Sequence, residues 1–448
     1  MNRSATHSGA APAAGSYRDP SGFVFIDSGS VYRAVSDAKW PLFEEIRNSG
    51  VLDTLMRAGD LVGSTVVDPD GAEQARLKAQ LPGWNHFCRH EKIELLSFPY
   101  EWCYSMLADA GLLHLAMQRA LLGKGFSLKD ATAFNVQFVG ARPVFIDLLS
   151  IERPGRLDVW VAYSQFCRMF LYPLLLHLHK GLTSRHLFLP SLEGPDAGQT
   201  ARLLGRWGSL RPDAFMDVWL ARAFERKESD KTRALRSEMA KEGTKPDAQL
   251  MNLDRLERKL GALKTRYNLS GHWADYERTN TYNTEARTEK AAAIRAFLER
   301  QKPGTVLDVG CNTGTYSVMA AESGAKVVSV DSDHDCVEAL YRTARERKLN
   351  ILPLVVDISN PSPAVGFQNG ERERFLDRVS ADAVLALALV HHLLITARIP
   401  LDGIRDLFHG LTRKWLVIEF VDRDDPMFQT LLALREDLYK DWTLDVFL

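Results

Sequence analysis

Short apolar runs alternate with longer amphipathic stretches through residues 268–448. The apolar runs predict strands that are covered on both faces, because they show no alternation of polar and apolar positions. The predicted strands are Thr305–Val309, Lys326–Val330, Ile351–Val356, Asp382–Val390 and Trp415–Phe420. Between them, Thr315–Ser323 and Asp335–Arg347 have the spacing of helices. This order predicts an α/β domain with a Rossmann-like, doubly wound parallel sheet.

The pattern differs before that domain. Residues 17–225 begin with predicted strands at Phe23–Ile26 and Val31–Val35 and continue with a largely helical second half, which predicts an α+β domain. Residues 226–267 are charge-rich and helical in pattern, as in a helical linker or arm between domains. Residues 1–16 are small and polar, so we expect a disordered tail.

Composition excludes several classes of protein. The chain has 46% hydrophobic residues, a net charge of −1 and five cysteines, none in a C-x-x-C pair. We therefore expect a cytoplasmic protein with no metal site, no disulfide framework and no nucleic-acid or membrane partner. The most apolar region, 166–182, is broken by charged and proline residues, which favours a buried helix pair over a membrane span.

A glycine-bearing turn follows the first predicted strand of the α/β domain, in the run Asp308-Val309-Gly310-Cys311-Asn312-Thr313-Gly314. A dinucleotide would place its pyrophosphate at such a turn, where the carboxylate of Asp308 would repel it. Thr315 also replaces the third glycine of the dinucleotide fingerprint. S-adenosylmethionine (SAM) presents an ammonium and a sulfonium and no phosphate, so the turn favours SAM over NAD.

Two more acidic residues end predicted strands of the same sheet. Asp331 follows the second strand and can accept hydrogen bonds from both ribose hydroxyls of a nucleoside cofactor, with Ser332 beside it. Asp357 follows the third strand and can accept from the adenine amino group, with Ile358 flanking the ring. Aspartates are also common after strands as turn and cap formers, so the order and spacing of all three signals carry the interpretation.

With this turn, Asp331 and Asp357, the chain resembles the class I SAM-dependent methyltransferases. The resemblance implies that the turn holds the methionine part of SAM, Asp331 the ribose and Asp357 the adenine. The cofactor-binding residues are therefore predicted to be Asp308, Gly310, Cys311, Asn312, Gly314, Asp331, Ser332, Asp357 and Ile358. The family normally adds two further strands, whereas here we find only a helix, Met427–Tyr439, and an apolar tail, Trp442–Leu448. We expect the sheet to lack its last strands.

The acceptor side of the reaction has three candidates. His391 and His392 follow the fourth predicted strand, and either imidazole could remove a proton from an oxygen or nitrogen acceptor. Glu419 ends the fifth strand beside the same cleft. Glu419 could bind or deprotonate the acceptor, whereas the alternative for the histidines is that one caps a helix and the other packs. Upstream, the aromatic and polar stretch with Trp273, Tyr276, Tyr282 and Asn283 either covers the cofactor or packs as an entry segment.

The front domain has a second resemblance. The runs Lys129–Asn135 and Val144–Asp147 resemble the catalytic centre of protein-kinase-like phosphotransferases, after a predicted strand Leu95–Phe98 and a hinge-like Pro99–Glu101. The resemblance implies that Asp130 orients an acceptor hydroxyl and that Asn135 and Asp147 hold magnesium with ATP. No glycine-rich phosphate loop or phosphate-binding lysine can be assigned, so the site could be vestigial or could be a set of caps and turns.

Ser97–Trp102, Lys129–Phe138 and Pro143–Asp147, followed by a methyltransferase-like domain, also resemble a bacterial group in which some proteins are called nodulation host-specificity proteins. We predict a SAM-dependent methyltransferase that modifies an oxygen or nitrogen of a small-molecule or glycan acceptor. The alternatives are a bifunctional protein with an ATP- and magnesium-dependent phosphotransferase in front, and a non-catalytic SAM-binding protein. The sequence sets neither the acceptor nor the oligomeric state.

Overall fold

The structure, a computed structural model, describes residues 12–16, 18–222, 246–268, 284–433 and 440–448. Most of the predicted tail, the first part of the predicted linker and the aromatic stretch with Trp273, Tyr276, Tyr282 and Asn283 lie outside these ranges. Among the described helices, none combines the length and apolar character that crossing a membrane requires.

The front domain opens with a four-stranded antiparallel sheet in the order β1-β2-β4-β3. Its strands are β1 (Gly22–Asp27), β2 (Ser30–Val35), β3 (Ser64–Val66) and β4 (His86–His90). Ser28 and Gly29 both have positive φ, 51° and 79°, as the two-residue hairpin turn between β1 and β2 requires. Three helices accompany this sheet: α1 (Trp40–Asn48), α2 (Val51–Ala58) and α3 (Ala72–Gln80).

A buried helix, α4 (Tyr104–Leu122), forms the centre of the front domain, with 15 of its 19 residues buried. Around it lie two short strand pairs and four helices. These elements are β5 (Ser127–Leu128), β6 (Val136–Val139), β7 (Arg142–Phe145), β8 (Ile151–Glu152), α5 (Tyr163–Phe166), α6 (Tyr172–Lys180), α7 (Ser184–Phe188) and α8 (Ala197–Ser209). A π-helical turn, Cys167–Leu171, joins α5 to α6, so the apolar region predicted as a helix pair is one continuous helical path. The predicted strand Leu95–Phe98 is wrong, since this segment is irregular and leads into a 3-10 turn, Pro99–Glu101.

The described part of the predicted linker is the helix α9 (Asp247–Arg266). It buries Leu253, Leu256, Leu260 and Leu263 on one face. Leu260 approaches Gly111 of α4 so closely that a Cβ on Gly111 would lie 2.7 Å from its Cδ2. This helix is therefore packed against the centre of the front domain. The predicted domain boundaries stay predictions.

The second domain is a five-stranded parallel sheet in the order β11-β10-β9-β12-β13, flanked by helices. The strands are β9 (Thr305–Val309), β10 (Lys326–Asp331), β11 (Ile351–Val355), β12 (Ala381–Ala386) and β13 (Thr412–Ile418). The helices are α10 (Thr284–Gln301), α11 (Thr315–Glu322), α12 (His334–Arg347), α13 (Phe375–Arg378), α14 (Leu401–Leu411), α15 (Pro426–Leu432) and α16 (Leu444–Phe447). The predicted fold class, a Rossmann-like sheet after an α+β domain, is confirmed.

Two predicted strand ends are wrong. Strand β12 stops at Ala386, because Ala388 takes a positive φ of 51° and turns the chain into a helical segment. Strand β13 begins and ends earlier than predicted and leaves Glu419 just beyond its last residue. After it, Trp442 of the tail is buried, and its Nε1 donates to the carbonyl of Val421 at 3.0 Å. The tail thus packs beside the end of the edge strand.

Candidate functional site

The turn between β9 and α11 lies at the carboxyl edge of the sheet, where open α/β sheets bind ligands. Three of its residues have positive φ: Gly310 at 74°, Asn312 at 51° and Gly314 at 86°. The backbone N–H groups of Gly310 and Cys311 donate to the carbonyl of Val330 at 2.8 and 3.1 Å. These bonds hold the turn against the end of β10.

Gly314 has a steric role in addition to its conformational one. A Cβ at this position would lie 2.3 Å from Cδ1 of Leu340, a fully buried residue of α12. We expect Gly314→Ala to destabilise the protein by about 2–4 kcal/mol, from left-handed backbone strain and a displaced core side chain. Thermal unfolding measures this cost. Gly324→Ala is the matched control, because Gly324 also has positive φ, 97°, but faces open space. Equal losses in the two variants would contradict the packing role of Gly314.

Asp331 brings the turn and strand β10 together. Its Oδ2 accepts from the backbone N–H of Asn312 at 2.8 Å, and its Oδ1 accepts from that of Asp333 at 2.9 Å. Burial raises the pKa of this carboxyl above its usual value, and the hydrogen bonds from the two backbone donors offset only part of that shift. Asn312 in turn accepts from Thr313 N at 2.6 Å through its side chain. The two predicted cofactor signals are therefore adjacent in space.

Asp308 lies elsewhere than its proposed role implied. Its carboxylate was predicted to lie at an open turn, but the side chain is only 2% exposed inside the layer between β9 and α11. Its Oδ2 accepts from the hydroxyl of Ser317 at 2.6 Å, and Ser317 accepts from Ser329 at 2.8 Å. The carboxylate that borders the turn is that of Asp331. A direct contact between Asp308 and a cofactor therefore stays a prediction.

Burial raises the pKa of Asp308 to about 6, well above its value of 3.8 in an unfolded chain. Between these values the folded protein binds more protons than the unfolded one, so this group removes stability as the pH rises from 4 to 6. An asparagine cannot ionise, so Asp308→Asn should not show this loss. We expect the free energy of unfolding of the variant to fall by about 2–3 kcal/mol less than that of the wild type over this pH range. Unfolding curves at pH 4, 5, 6 and 7 measure it. Parallel pH profiles for the wild type and the variant would contradict the buried, protonatable carboxyl.

The remaining predicted cofactor residues lie at the same edge. Asp357 directly follows Val356, whose N–H donates to the carbonyl of Asp331 at 2.9 Å. The Asp357 carboxylate accepts from the N–H and hydroxyl of Ser359, at 2.9 and 2.6 Å, as a turn-forming aspartate does. Ile358 is buried and Ser332 is exposed. The structure thus places them along one line of strand ends, while their cofactor contacts stay predictions.

His391 and His392 differ in their surroundings. His391 is 3% exposed, and its buried Nδ1 has no hydrogen-bond partner among the described residues. Burial, followed by the neighbouring His392, lowers the pKa of His391 to about 4, so the ring is neutral at pH 7. His392 is exposed and begins a π-helical turn, His392–Thr396. Of the two, His391 has the unsatisfied polar atom that a bound group could engage.

Glu419 is held by a residue that the sequence analysis missed. Lys290 of α10 donates to Glu419 Oε2 at 2.5 Å. The same ammonium lies 5.5 Å from the ring centroid of Tyr316, two residues after Gly314. Glu419 N donates to Ala386 O at 3.1 Å, which fixes this group beside the end of β12. No motif marks Lys290, because its role depends on a contact across 129 residues.

These residues fit a SAM-sized nucleoside cofactor better than a dinucleotide. The backbone N–H of Asn312, which could receive a phosphate, is already bound to a carboxylate oxygen. A Cβ at Gly310 would lie 3.3 Å from Cδ1 of Leu389, so the glycine lets the turn pack closely against this side chain. Asp331 would hold ribose hydroxyls, and the turn residues would face the amino-acid part.

In the front domain, the carboxylate predicted to hold magnesium is already paired with an arginine. Burial raises the pKa of Asp130, and the charge of Lys129 partly offsets this shift. Asp147 Oδ1 accepts from Nη1 of Arg33 at 2.8 Å, and the Arg33 side chain is only 9% exposed. The backbone carbonyl of Asn135 accepts from Ile146 at 2.9 Å. Within the described residues, no cluster of three or more histidine, cysteine or acidic side chains is arranged for a metal ion.

Comparison with known proteins agrees with this architecture. The family model described as a methyltransferase domain matches residues 282–443. The nodulation protein NoeA of Rhizobium meliloti (strain 1021) is 35% identical over 439 residues, which cover 97% of this chain and 90% of the relative. The chain belongs to the NoeA family. The predicted resemblance to a bacterial group with nodulation proteins and a C-terminal methyltransferase domain is thereby confirmed.

Solved structures with partial likeness include the bifunctional kinase-methyltransferase WbdD. It is 18% identical, with a TM-score of 0.27, over 37% of this chain and 35% of that one. Magnesium protoporphyrin IX methyltransferase (ChlM) from Synechocystis PCC 6803 with bound SAH is 21% identical, with a TM-score of 0.21, over 28% of this chain and 50% of that one. This NoeA-family chain therefore spans about a third of WbdD and half of ChlM.

Proposed function

We propose that this protein is a SAM-dependent methyltransferase that modifies an oxygen or nitrogen atom of a small-molecule or glycan acceptor in the cytoplasm. The methyltransferase domain is the part of the chain that carries the reaction. One observation supports the cofactor most strongly. The glycine turn of β9 and the carboxylate at the end of β10 meet directly, through the 2.8 Å bond from Asn312 N to Asp331.

The cofactor brings a methyl group that is already activated on a sulfonium, so the protein needs to orient the acceptor and receive its proton. Asp331 and the turn 310–314 would hold the nucleoside and amino-acid parts. Asp357 and Ile358 would border the adenine. The sheet contributes by holding these cofactor-binding residues along one edge.

His391 is the better candidate for the proton acceptor. Its imidazole is neutral at pH 7, and its Nδ1 has no partner among the described residues. Glu419 is ion-paired with Lys290, so it would have to break that pair to act as a base. We therefore assign Lys290 and Glu419 to the positioning of the acceptor, and His392, which is exposed, to the rim of the site.

The front domain would present or select the acceptor. The phosphotransferase alternative is the weaker one, because Arg33 already neutralises Asp147, the carboxylate that would hold magnesium together with Asn135. The third alternative, a protein that binds SAM without transferring its methyl group, differs from our proposal only in turnover.

Calorimetry on the full chain with SAM, S-adenosylhomocysteine, NAD and ATP–magnesium tests the proposal. We expect binding of the first two ligands and none of NAD. Methyl transfer is then followed with labelled SAM on a panel of oligosaccharides and small hydroxylated or amino acceptors. A chain that bound only NAD or only ATP would contradict the proposal. Tight SAM binding without transfer to any acceptor would favour the non-catalytic alternative.

A further inference from the structure

The end of the front domain exposes an unusual group of apolar side chains. Helix α8 is interrupted at Gly205, which has φ 78° and ψ 173°, and a π-helical turn, Phe215–Leu220, follows and contacts it. Both segments bury one face, through residues such as Leu204 and Val218. Residues 203–219, which include these segments and the turn between them, expose Leu203 (46% exposed), Trp207 (82%), Leu210 (41%), Met216 (56%) and Trp219 (41%).

This group stands out from the rest of the molecule. The described residues include sixteen large apolar side chains that are exposed, and five of them fall between positions 203 and 219. Single exposed apolar residues are ordinary on a soluble protein, but a concentrated group marks an interaction surface. A tryptophan that is 82% exposed gains nothing from the fold itself. We call these five residues, with Arg202 and Arg206, the Trp207 surface.

The charges near this surface are arranged asymmetrically. Two acidic residues of this segment are held by cations of helix α9: Asp217 is fully buried against Arg255 and Lys259, and Asp213 pairs with Arg266 at 2.7 Å. Arg202 and Arg206 are exposed and form no ion pair with any residue that the structure describes. The outer side of this segment is therefore both apolar and cationic.

We propose that the Trp207 surface docks onto the headgroup region of an anionic lipid bilayer. Indole rings favour the boundary between water and acyl chains, and arginine guanidinium groups bind lipid phosphates. The exposed aliphatic residues Leu203, Leu210 and Met216 fit acyl chains better than nucleic-acid bases, which stack on aromatic rings. The overall charge of −1 does not oppose this docking, since only the local surface faces the bilayer within a Debye length.

This docking goes beyond the proposed transfer reaction and does not depend on it. It would hold the chain at a membrane surface without any spanning segment. The absence of a membrane partner was predicted from the net charge and from the broken apolar region 166–182, neither of which reveals a locally cationic apolar surface. The outward and inward directions of these side chains become visible only in the folded structure.

Co-sedimentation of the full chain with vesicles tests the proposal. We expect binding to anionic vesicles of phosphatidylcholine with roughly 40% phosphatidylglycerol, which have a negative surface potential. We expect little binding to vesicles of phosphatidylcholine alone. Arg202→Gln with Arg206→Gln should weaken the partitioning roughly twentyfold. Trp207→Ser with Met216→Ser should weaken it on the order of tenfold or more. All four positions are exposed, so the variants should fold normally, which circular dichroism checks.

Matched controls locate the contact. Phe367→Ser removes an apolar side chain that is 62% exposed on the other domain, and Arg405→Gln removes an exposed arginine there. Both should bind vesicles like the wild type. Quenching of tryptophan fluorescence by brominated lipid should fall in Trp207→Phe with Trp219→Phe. Equal binding to neutral and anionic vesicles, no binding to either, or equal losses in the control variants would each overturn the proposal, as would a preference for single-stranded nucleic acid over lipid.

Discussion

Asp331→Ala is expected to abolish measurable SAM binding, with a loss of at least about a hundredfold in affinity. Two hydrogen bonds from ribose hydroxyls to a carboxylate are worth roughly 1.5–3 kcal/mol each in a partly buried site. The alanine also leaves the N–H of Asn312 without its 2.8 Å acceptor, so the turn loses the contact that fixes it to β10. Calorimetry with S-adenosylhomocysteine measures the loss directly, independently of any acceptor.

Asp382→Ala is the matched control for this variant. Asp382 is a carboxylate at the opposite end of the same sheet, where its Oδ2 accepts from Thr305 N at 3.2 Å. Removing it changes the net charge by the same amount and leaves the carboxyl edge intact, so binding should be unchanged. Wild-type affinity in Asp331→Ala, with a normal unfolding midpoint, would contradict the assignment of the nucleoside site. Asp331→Asn should fall between the two, because the amide keeps one acceptor and loses the charge.

The sequence was sufficient to predict the centre of the second domain, because its signals are local. Strand β9 has the predicted bounds, and the glycines at 310 and 314 take the positive φ that a tight turn requires. The location of Asp331 beside the turn could also be predicted, because it ends a strand and parallel strands present their carboxyl ends at one edge of the sheet. Side-chain period and turn chemistry depend on neighbours within a few residues, which a sequence displays directly.

The directions of side chains and their long-range contacts were harder to predict. Asp308 belongs to the same motif, yet its carboxylate bonds to Ser317 inside the layer between strand and helix. The apolar run that suggested a strand to Val390 continues past Ala386 because a buried helical turn is as apolar as a strand. Pairs such as Lys290 with Glu419, or Arg33 with Asp147, join positions more than 100 residues apart. Such contacts leave no periodic signal in the sequence.

The contact between the two domains is of this long-range kind. Glu338 of α12 is fully buried, and its Oε2 accepts from the N–H of Ser105 at the start of α4 at 2.9 Å. Asp109 accepts from the hydroxyl of Tyr341 at 2.7 Å and from Lys264 of α9 at 2.5 Å. One continuous apolar cluster runs through both domains. We therefore expect the two domains to unfold together.

Glu101→Leu is expected to destabilise the whole chain by about 3–5 kcal/mol, because it leaves a buried arginine without its counter-charge. Glu101 Oε1 accepts from Nη2 of Arg378 at 2.5 Å across the domain boundary, and the side chains are 0% and 3% exposed. The Arg378 guanidinium also lies 4.4 Å from the ring centroid of Phe98. Urea unfolding, followed by far-ultraviolet circular dichroism and tryptophan fluorescence, measures the change and shows whether the domains separate.

Two further variants decide how this loss is interpreted. Adding Arg378→Met to Glu101→Leu removes the unpaired charge and should restore most of the stability, since apolar replacements of a buried pair are often close to neutral. Asp377→Leu breaks the neighbouring Arg374–Asp377 pair, whose side chains are 61% and 47% exposed, and should cause no measurable change. If Glu101→Leu and Asp377→Leu unfolded at the same urea concentration as the wild type, the buried pair would not be what joins the domains. A double variant as unstable as Glu101→Leu alone would assign the loss to Glu101 Oε2, which accepts from Phe98 N at 3.0 Å, and to local packing in the hinge-like segment.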